Sequence, residues 1–246
     1  MSGTSGAAVL VSTCIMTRTT NARIAGSTFL LYIAAGIASM VLFGRATSAE
    51  GIAAKLTGIA QHATDVRVAF LLGLLSSFAA LVLAVTLYAI TREQDPDLAM
   101  LALTCRVAEG VISAGIPTVL GVLWLATDTG ANAPDVGAAH ALGAFLLKVG
   151  GWQSLCSATF FAVGSTLFSW LLLRGRMIPV PLAWLGVAAS LLIAVGVPLQ
   201  LAGFVSGLVT SLMWLPMLAF EVPLSLWLLI KGVALPARMP ISIPHS

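Results

Sequence analysis

Arg106, Glu109 and Glu221 are the residues of this sequence whose types and surroundings admit chemistry. Arg106 and Glu109 lie three positions apart in LAMLALTCRVAEGVISAGIPTVLGVLWLA, the otherwise apolar run Leu98–Ala126. That spacing puts them on one face of a helix, where they can pair directly. Glu221 lies in a second apolar run, Leu208–Ile230, flanked by Pro216 and Pro223. A charge inside a spanning helix costs roughly 2.5–3.5 kcal/mol on the insertion scale, so such groups are seldom idle. If Glu221 faces the pair, two carboxylates share one guanidinium. One of them is then free to take a proton, a cation or a ligand amine.

The depth of these residues follows from helix geometry. With a rise of ~1.5 Å per residue and a hydrocarbon half-thickness of ~15 Å, Arg106 lies about 13 Å and Glu109 about 18 Å in from Asp97, and Glu221 about 15 Å in from Lys231. All three fall near the midplane. Pro216 and Pro223 each remove an i→i−4 bond, freeing the carbonyls of Leu212 and Ala219 beside a carboxylate. Interrupted helices of that kind resemble the ion and substrate sites of transporters.

The elements that carry them must be membrane helices. Of 246 residues, 59% are hydrophobic and 9% charged, with a mean hydropathy of +1.04. Soluble domains carry about 25% charged residues, so this chain could not cover a water-facing surface. The net charge of +3 is spread thinly, which excludes the concentrated basic face of a nucleic-acid binder. Cys14, Cys105 and Cys156 are odd in number and match no metal spacing, so neither a disulfide framework nor a metal is expected.

Six spans are predicted, at about 24–44, 68–90, 98–126, 152–173, 182–204 and 208–230. Between the first two, Thr47 and Glu50 fit a capping box, and Ile52, Leu56 and Ile59 share one helical face. A short amphipathic helix on the membrane surface is expected there. Asp95-Pro96 reads as a helix start, Pro117 predicts a kink about one turn upstream, and Gly150-Gly151 a break before the fourth span. The Gly203–Gly207 GxxxG predicts close packing of spans five and six. Residues 1–22 read as a disordered cytoplasmic tail, 23–233 as the six-helix transmembrane domain and 234–246 as a cytoplasmic tail. Seven Lys and Arg residues fall on the side of the termini (Arg18, Arg23, Arg92, Arg174, Arg176, Lys231 and Arg238). Four fall on the other (Arg45, Lys55, Arg67 and Lys148), which predicts an N-in, C-in arrangement.

Four ordered segments carry a family resemblance: ARIAGSTFLLYIAAGI (Ala22–Ile37), TCRVAEG (Thr104–Gly110), FFAVGSTLFSWLLLRGRMIPVPLAWLG (Phe160–Gly186) and FEVPLSLWLLIKGV (Phe220–Val233). Over roughly residues 22–233 the chain resembles the bacterial integral membrane family catalogued as domain of unknown function 4386. The resemblance implies a polytopic membrane protein of about this size and no established activity, substrate or cofactor. It places the family's opening motif on Arg23–Gly26 and Tyr32, its charged pair on Arg106 and Glu109, and the acidic residue of its last span on Glu221. The chain departs from the family pattern after Pro179, where Val180-Pro181 replaces an expected basic residue.

No HExxH, P-loop, GxSxG or GxGxxG occurs in the chain. The fold expected is therefore an all-α polytopic bundle in a bacterial inner membrane. The bilayer is its partner and a small molecule or a proton its candidate ligand. No cofactor, metal or nucleic acid is expected, and no catalytic residue is assigned. Three functions stand open. A permease-like or ligand-binding protein would bring a wet cavity to Glu221. A membrane enzyme on a lipid or apolar substrate would place a lipid-wide slot beside Glu109. A structural or regulatory protein would keep Arg106, Glu109 and Glu221 dry and fully paired, as a clamp on helix register.

Overall fold

Long runs of Ala, Leu, Val and Ile become helices here because a backbone in hydrocarbon must satisfy its own N–H and C=O groups. The structure is a computed structural model and describes residues 4–128, 130 and 134–234. Within these residues the chain is helical throughout: α1 (Thr4–Ala46), α2 (Ile52–Gln61), α3 (Ala63–Thr91), α4 (Pro96–Ser113), α5 (Ile116–Thr127), α6 (Val136–Arg174), α7 (Val180–Leu201), α8 (Leu208–Leu212) and α9 (Leu215–Ile230). They build six spans long and apolar enough to cross a membrane, the third from α4 and α5 and the sixth from α8 and α9. The fold is a polytopic bundle of six transmembrane helices.

Each span packs on the next along the chain, and the sixth returns to the first, so the bundle closes as a ring. The seam between α1 and α9 is tight at Gly26, where a Cβ would stand 2.5 Å from the Leu229 nitrogen and 2.6 Å from the Ser225 oxygen. Only glycine admits that approach of two backbones. Phe29, Leu83, Phe168, Leu171, Ile193, Met217 and Leu228 fill the main core. Outside the ring, Leu71, Phe78, Val85, Val111, Phe145 and Val195 are exposed, an apolar belt that suits contact with lipid.

The helix ends follow local chemistry. Asp95 caps α4, its Oδ1 accepting from the Leu98 N–H at 3.1 Å, as the Asp-Pro signal predicts. Asp135 caps α6 in the same way at 2.8 Å. The kink predicted upstream of Pro117 is a full break at Ala114 and Gly115, where Gly115 takes the left-handed conformation at φ 56°. The sixth span breaks at Met213 and Trp214, and Pro216 then opens α9.

The structure differs from the sequence reading at several points. Arg18–Ala22, assigned from the sequence to a tail, belongs to α1. There Arg18 is buried, with Nη2 donating to the Ile90 carbonyl at 2.9 Å and Nη1 3.4 Å from Glu93 Oε2. Apart from Ala234, the C-terminal tail lies outside the described residues. The helix between the first two spans is present, but Gly51 stands at its N-cap and Thr47 donates to the Phe43 carbonyl, so no capping box forms. Its apolar face also meets protein: Leu56 and Ile59 form a second small core with Val122 and Leu123 of α5 and Val66 of α3.

α6 runs through Gly150-Gly151 without a break, since a helix crossing hydrocarbon keeps its internal bonds where it can. Gly203 and Gly207 have positive φ and nothing within 4 Å of an added Cβ, so they shape a loop and do not join spans five and six.

Candidate functional site

Arg106 and Glu109 project from α4 into the ring and are almost inaccessible, at 1% and 2% exposure. Arg106 Nη1 lies 2.9 Å from Glu109 Oε2, the i, i+3 pair expected from the sequence. The second carboxylate oxygen, Oε1, accepts a 2.9 Å hydrogen bond from the Tyr32 hydroxyl of α1. Both oxygens of Glu109 are therefore engaged. The guanidinium sits 4.7 Å from the centre of the Phe161 ring and 5.5 Å from that of Tyr32. A desolvated cation over aromatic faces gains about 2 kcal/mol, part of what its burial costs.

Gly164 makes room for the arginine stem. A Cβ there would lie 2.9 Å from Arg106 Cγ and 3.0 Å from Cδ. α4 and α6 can thus close over a long charged side chain. Phe161 and Gly164 are i, i+3 on α6, so one helical face supplies both the aromatic cover and the gap.

Glu221 of α9 is also buried, at 7% exposure, and interacts electrostatically with both Arg106 and Glu109. The three charges do gather at one level of the bundle. The pairing is unequal, however: the ion-pair contact of Arg106 goes to Glu109. Glu221 Oε1 and Arg106 Nε and Nη2 have no hydrogen-bond partner among the described residues. Hydrogen bonding within the group is therefore incomplete among the described residues.

A cavity of about 720 Å³ adjoins the pair. Its wall includes Phe43, Thr47 and Lys55 towards the α1–α2 end and Tyr32, Glu109, Ser157, Phe161 and Trp214 at mid-bundle. The permease-like reading expects a cavity at Glu221 and the lipid-enzyme reading a slot beside Glu109; the cavity reaches Glu109, and its wall includes neither Arg106 nor Glu221. Both helix breaks border it, through Ser113–Gly115 and Trp214.

The break in the third span is held by side chains of α6 and its own threonine. Gln153 Nε2 donates to the Ile112 carbonyl, and Ser157 Oγ to the Glu109 carbonyl at 3.1 Å. Thr118 Oγ1 donates to the Gly115 carbonyl at 2.8 Å, and the Ser77 and Ser113 hydroxyls meet at 3.1 Å. Pro117 has no N–H to offer the Ser113 carbonyl. The cavity thus carries hydroxyls and an amide, with the Glu109 carboxylate at mid-bundle and the Lys55 ammonium at the α1–α2 end, so hydrogen-bond donors and cations are best met at its Glu109 end. Among the described residues no group of three or more His, Cys, Asp or Glu is placed to hold a metal.

Residue patterning alone did not reach Tyr32, Phe161, Gln153 or Ser157 as site residues. Tyr32 came only with the family resemblance, though it is one of just two tyrosines in the chain. Phe161 sits among many apolar residues and carries no signal of its own.

No curated protein and no solved structure matches the chain. A family model does match, that of the domain of unknown function 4386, over residues 24–232. The chain belongs to that family, and the residues matched include Tyr32, Arg106, Glu109 and Glu221.

Proposed function

We propose that the protein is a permease-like, ligand-binding membrane protein whose cavity admits a small molecule bearing an amine or another cationic group as far as Glu109. The observation that carries this reading, at Glu109 and not at Glu221, is a cavity whose lining includes Ser113, Thr118, Gln153 and Ser157, polar groups that suit a small polar solute better than a lipid chain. It runs from the α1–α2 end to Tyr32 and Glu109, beside the break in the third span. Two carboxylates to one guanidinium leave the buried site one positive charge short when all are ionised, so a cation or a proton completes it. Broken helices give such a site carbonyl oxygens and a hinge.

With the protein in the cell membrane, the distribution of Lys and Arg favours both termini in the cytoplasm, which would turn the mouth of the cavity outwards. The hydroxyls and Glu109 at the foot would then favour a cationic group, past Lys55 near the mouth, with Arg106 holding Glu109 in place from behind.

The test is thermal unfolding of the detergent-purified chain against a panel of alkali cations, methylamines and polyamines. A ligand that binds the folded state raises the unfolding temperature with concentration. At least one cation or amine is expected to do so for wild type and to lose most of its effect in Glu109→Gln. A panel in which every effect is shared equally by wild type and Glu109→Gln would remove the reading.

A further inference from the structure

The chain leaves α6 through a Schellman turn, in which the Met177 N–H bonds to the Leu172 carbonyl and the Arg176 N–H to the Leu173 carbonyl, each at 3.0 Å. The left-handed position of that motif belongs by default to glycine. Here it is held by Arg176 at φ 48°, the one non-glycine residue with positive φ among the described residues. A glycine is present one position earlier, but Gly175 keeps right-handed angles, with φ −79°. A strained residue of this kind persists where the surrounding structure holds it, and such residues gather at ligand sites.

Arg176 lines a second pocket, of about 320 Å³, with Arg174, Trp170, Leu173, Val180 and Trp184. It makes no ion pair among the described residues, whereas Arg174 Nη1 lies 3.3 Å from Asp95 Oδ2. Two arginines line the pocket, and Asp95 beside Arg174 offsets one of them, leaving a single positive charge, which matches a phosphodiester. Guanidinium forks suit phosphate oxygens, and tryptophans settle where hydrocarbon meets headgroups. Trp170 and Trp184 are both half-exposed, at 43% and 54%. Leu173 and Val180 supply an apolar wall below.

We propose that this pocket is a phosphate-binding site, in which Arg174 and Arg176 hold a singly charged phosphate group between Trp170 and Trp184. Its place at the ends of two spanning helices points to the headgroup of an anionic membrane lipid as the source. Free inorganic phosphate is the other source of the same chemistry. The site is remote from Glu109 and stands apart from the cation-binding reading.

The test uses the full chain in a neutral detergent and follows thermal unfolding on adding phosphatidylglycerol, phosphatidylcholine or inorganic phosphate. Wild type is expected to gain several degrees with phosphatidylglycerol and little with phosphatidylcholine. Arg176→Gly is expected to unfold at a higher temperature than wild type without lipid, because the strain is relieved, yet to lose most of the lipid gain. Arg176→Gln is expected to lose the gain without the rise. A gain with inorganic phosphate that both variants abolish would support the site with free phosphate as its ligand. An equal gain in wild type and both variants, an equal gain with phosphatidylcholine, or no gain with either anion would overturn the proposal.

Discussion

Tyr32 and Glu109 stand 77 residues apart in the sequence and 2.9 Å apart in the fold, the tyrosine hydroxyl donating to Oε1 of the carboxylate. This contact ties the first span to the third at the foot of the cavity. It also fixes which carboxylate oxygen is left for Arg106.

Tyr32→Phe keeps the ring against Arg106 and removes only the hydroxyl. A hydrogen bond to a buried charge contributes about 1.5–3 kcal/mol, so this variant is expected to lose that much in stability. Thermal or denaturant unfolding in detergent measures it. A variant as stable as wild type would mean that the hydroxyl and carboxylate do not meet in the membrane protein.

The two glutamates are expected to respond in opposite ways to the same change. Glu109→Gln breaks an ion pair and leaves Arg106 buried without its partner, at a cost of about 3–5 kcal/mol. Glu221 has an oxygen with no partner, so Glu221→Gln exchanges an unpartnered carboxyl group for an amide and is expected to be neutral or stabilising. Unfolding of the two single variants and the double variant settles the ranking. A larger loss from Glu221→Gln than from Glu109→Gln would restore the clamp.

Much of this site can be read from residue types and spacing, and the boundary has physical reasons. The i, i+3 relation of Arg106 and Glu109 is local, so a helical period suffices to pair them. Asp95-Pro96 and Pro117 act on their own backbone, and the helix start and the break fall where they predict. What crosses between helices does not announce itself. Gln153 is 41 residues from the Ile112 carbonyl it satisfies, and nothing near it in sequence says that a carbonyl there has lost its partner. Gly150-Gly151 misleads for the converse reason: a glycine pair weakens a helix in water, whereas in hydrocarbon the backbone has nothing else to bond to. The inequality between Glu109 and Glu221 depends on how α1, α4 and α9 are set against one another, which no local pattern encodes.

Gly164 offers a test of how the arginine is accommodated. Alanine is the better helix former by about 1 kcal/mol, so on propensity alone Gly164→Ala would stabilise α6. Its methyl would meet the Arg106 stem at 2.9 Å and 3.0 Å and the Ala102 carbonyl oxygen at 3.2 Å. Overpacking of this kind costs about 1–3 kcal/mol, and a net loss is expected. The loss should shrink in an Arg106→Ala background, where the clashing stem is gone. Equal losses in the two backgrounds would show that the arginine does not pass over Gly164.

The central claim is that water and small solutes reach the foot of the cavity, and thiol labelling tests it most directly. In a chain freed of its native cysteines, Ser113→Cys, Gly36→Cys and Phe78→Cys would be treated in vesicles with a membrane-impermeant, positively charged thiol reagent. Ser113 and Gly36 line the cavity, while Phe78 is 64% exposed on the belt that suits lipid. The expected result is rapid labelling at positions 113 and 36, none at 78, and protection of 113 by a cation or amine found to stabilise the protein. Positions 113 and 36 as unreactive as 78 would mean a dry bundle, and would contradict the account.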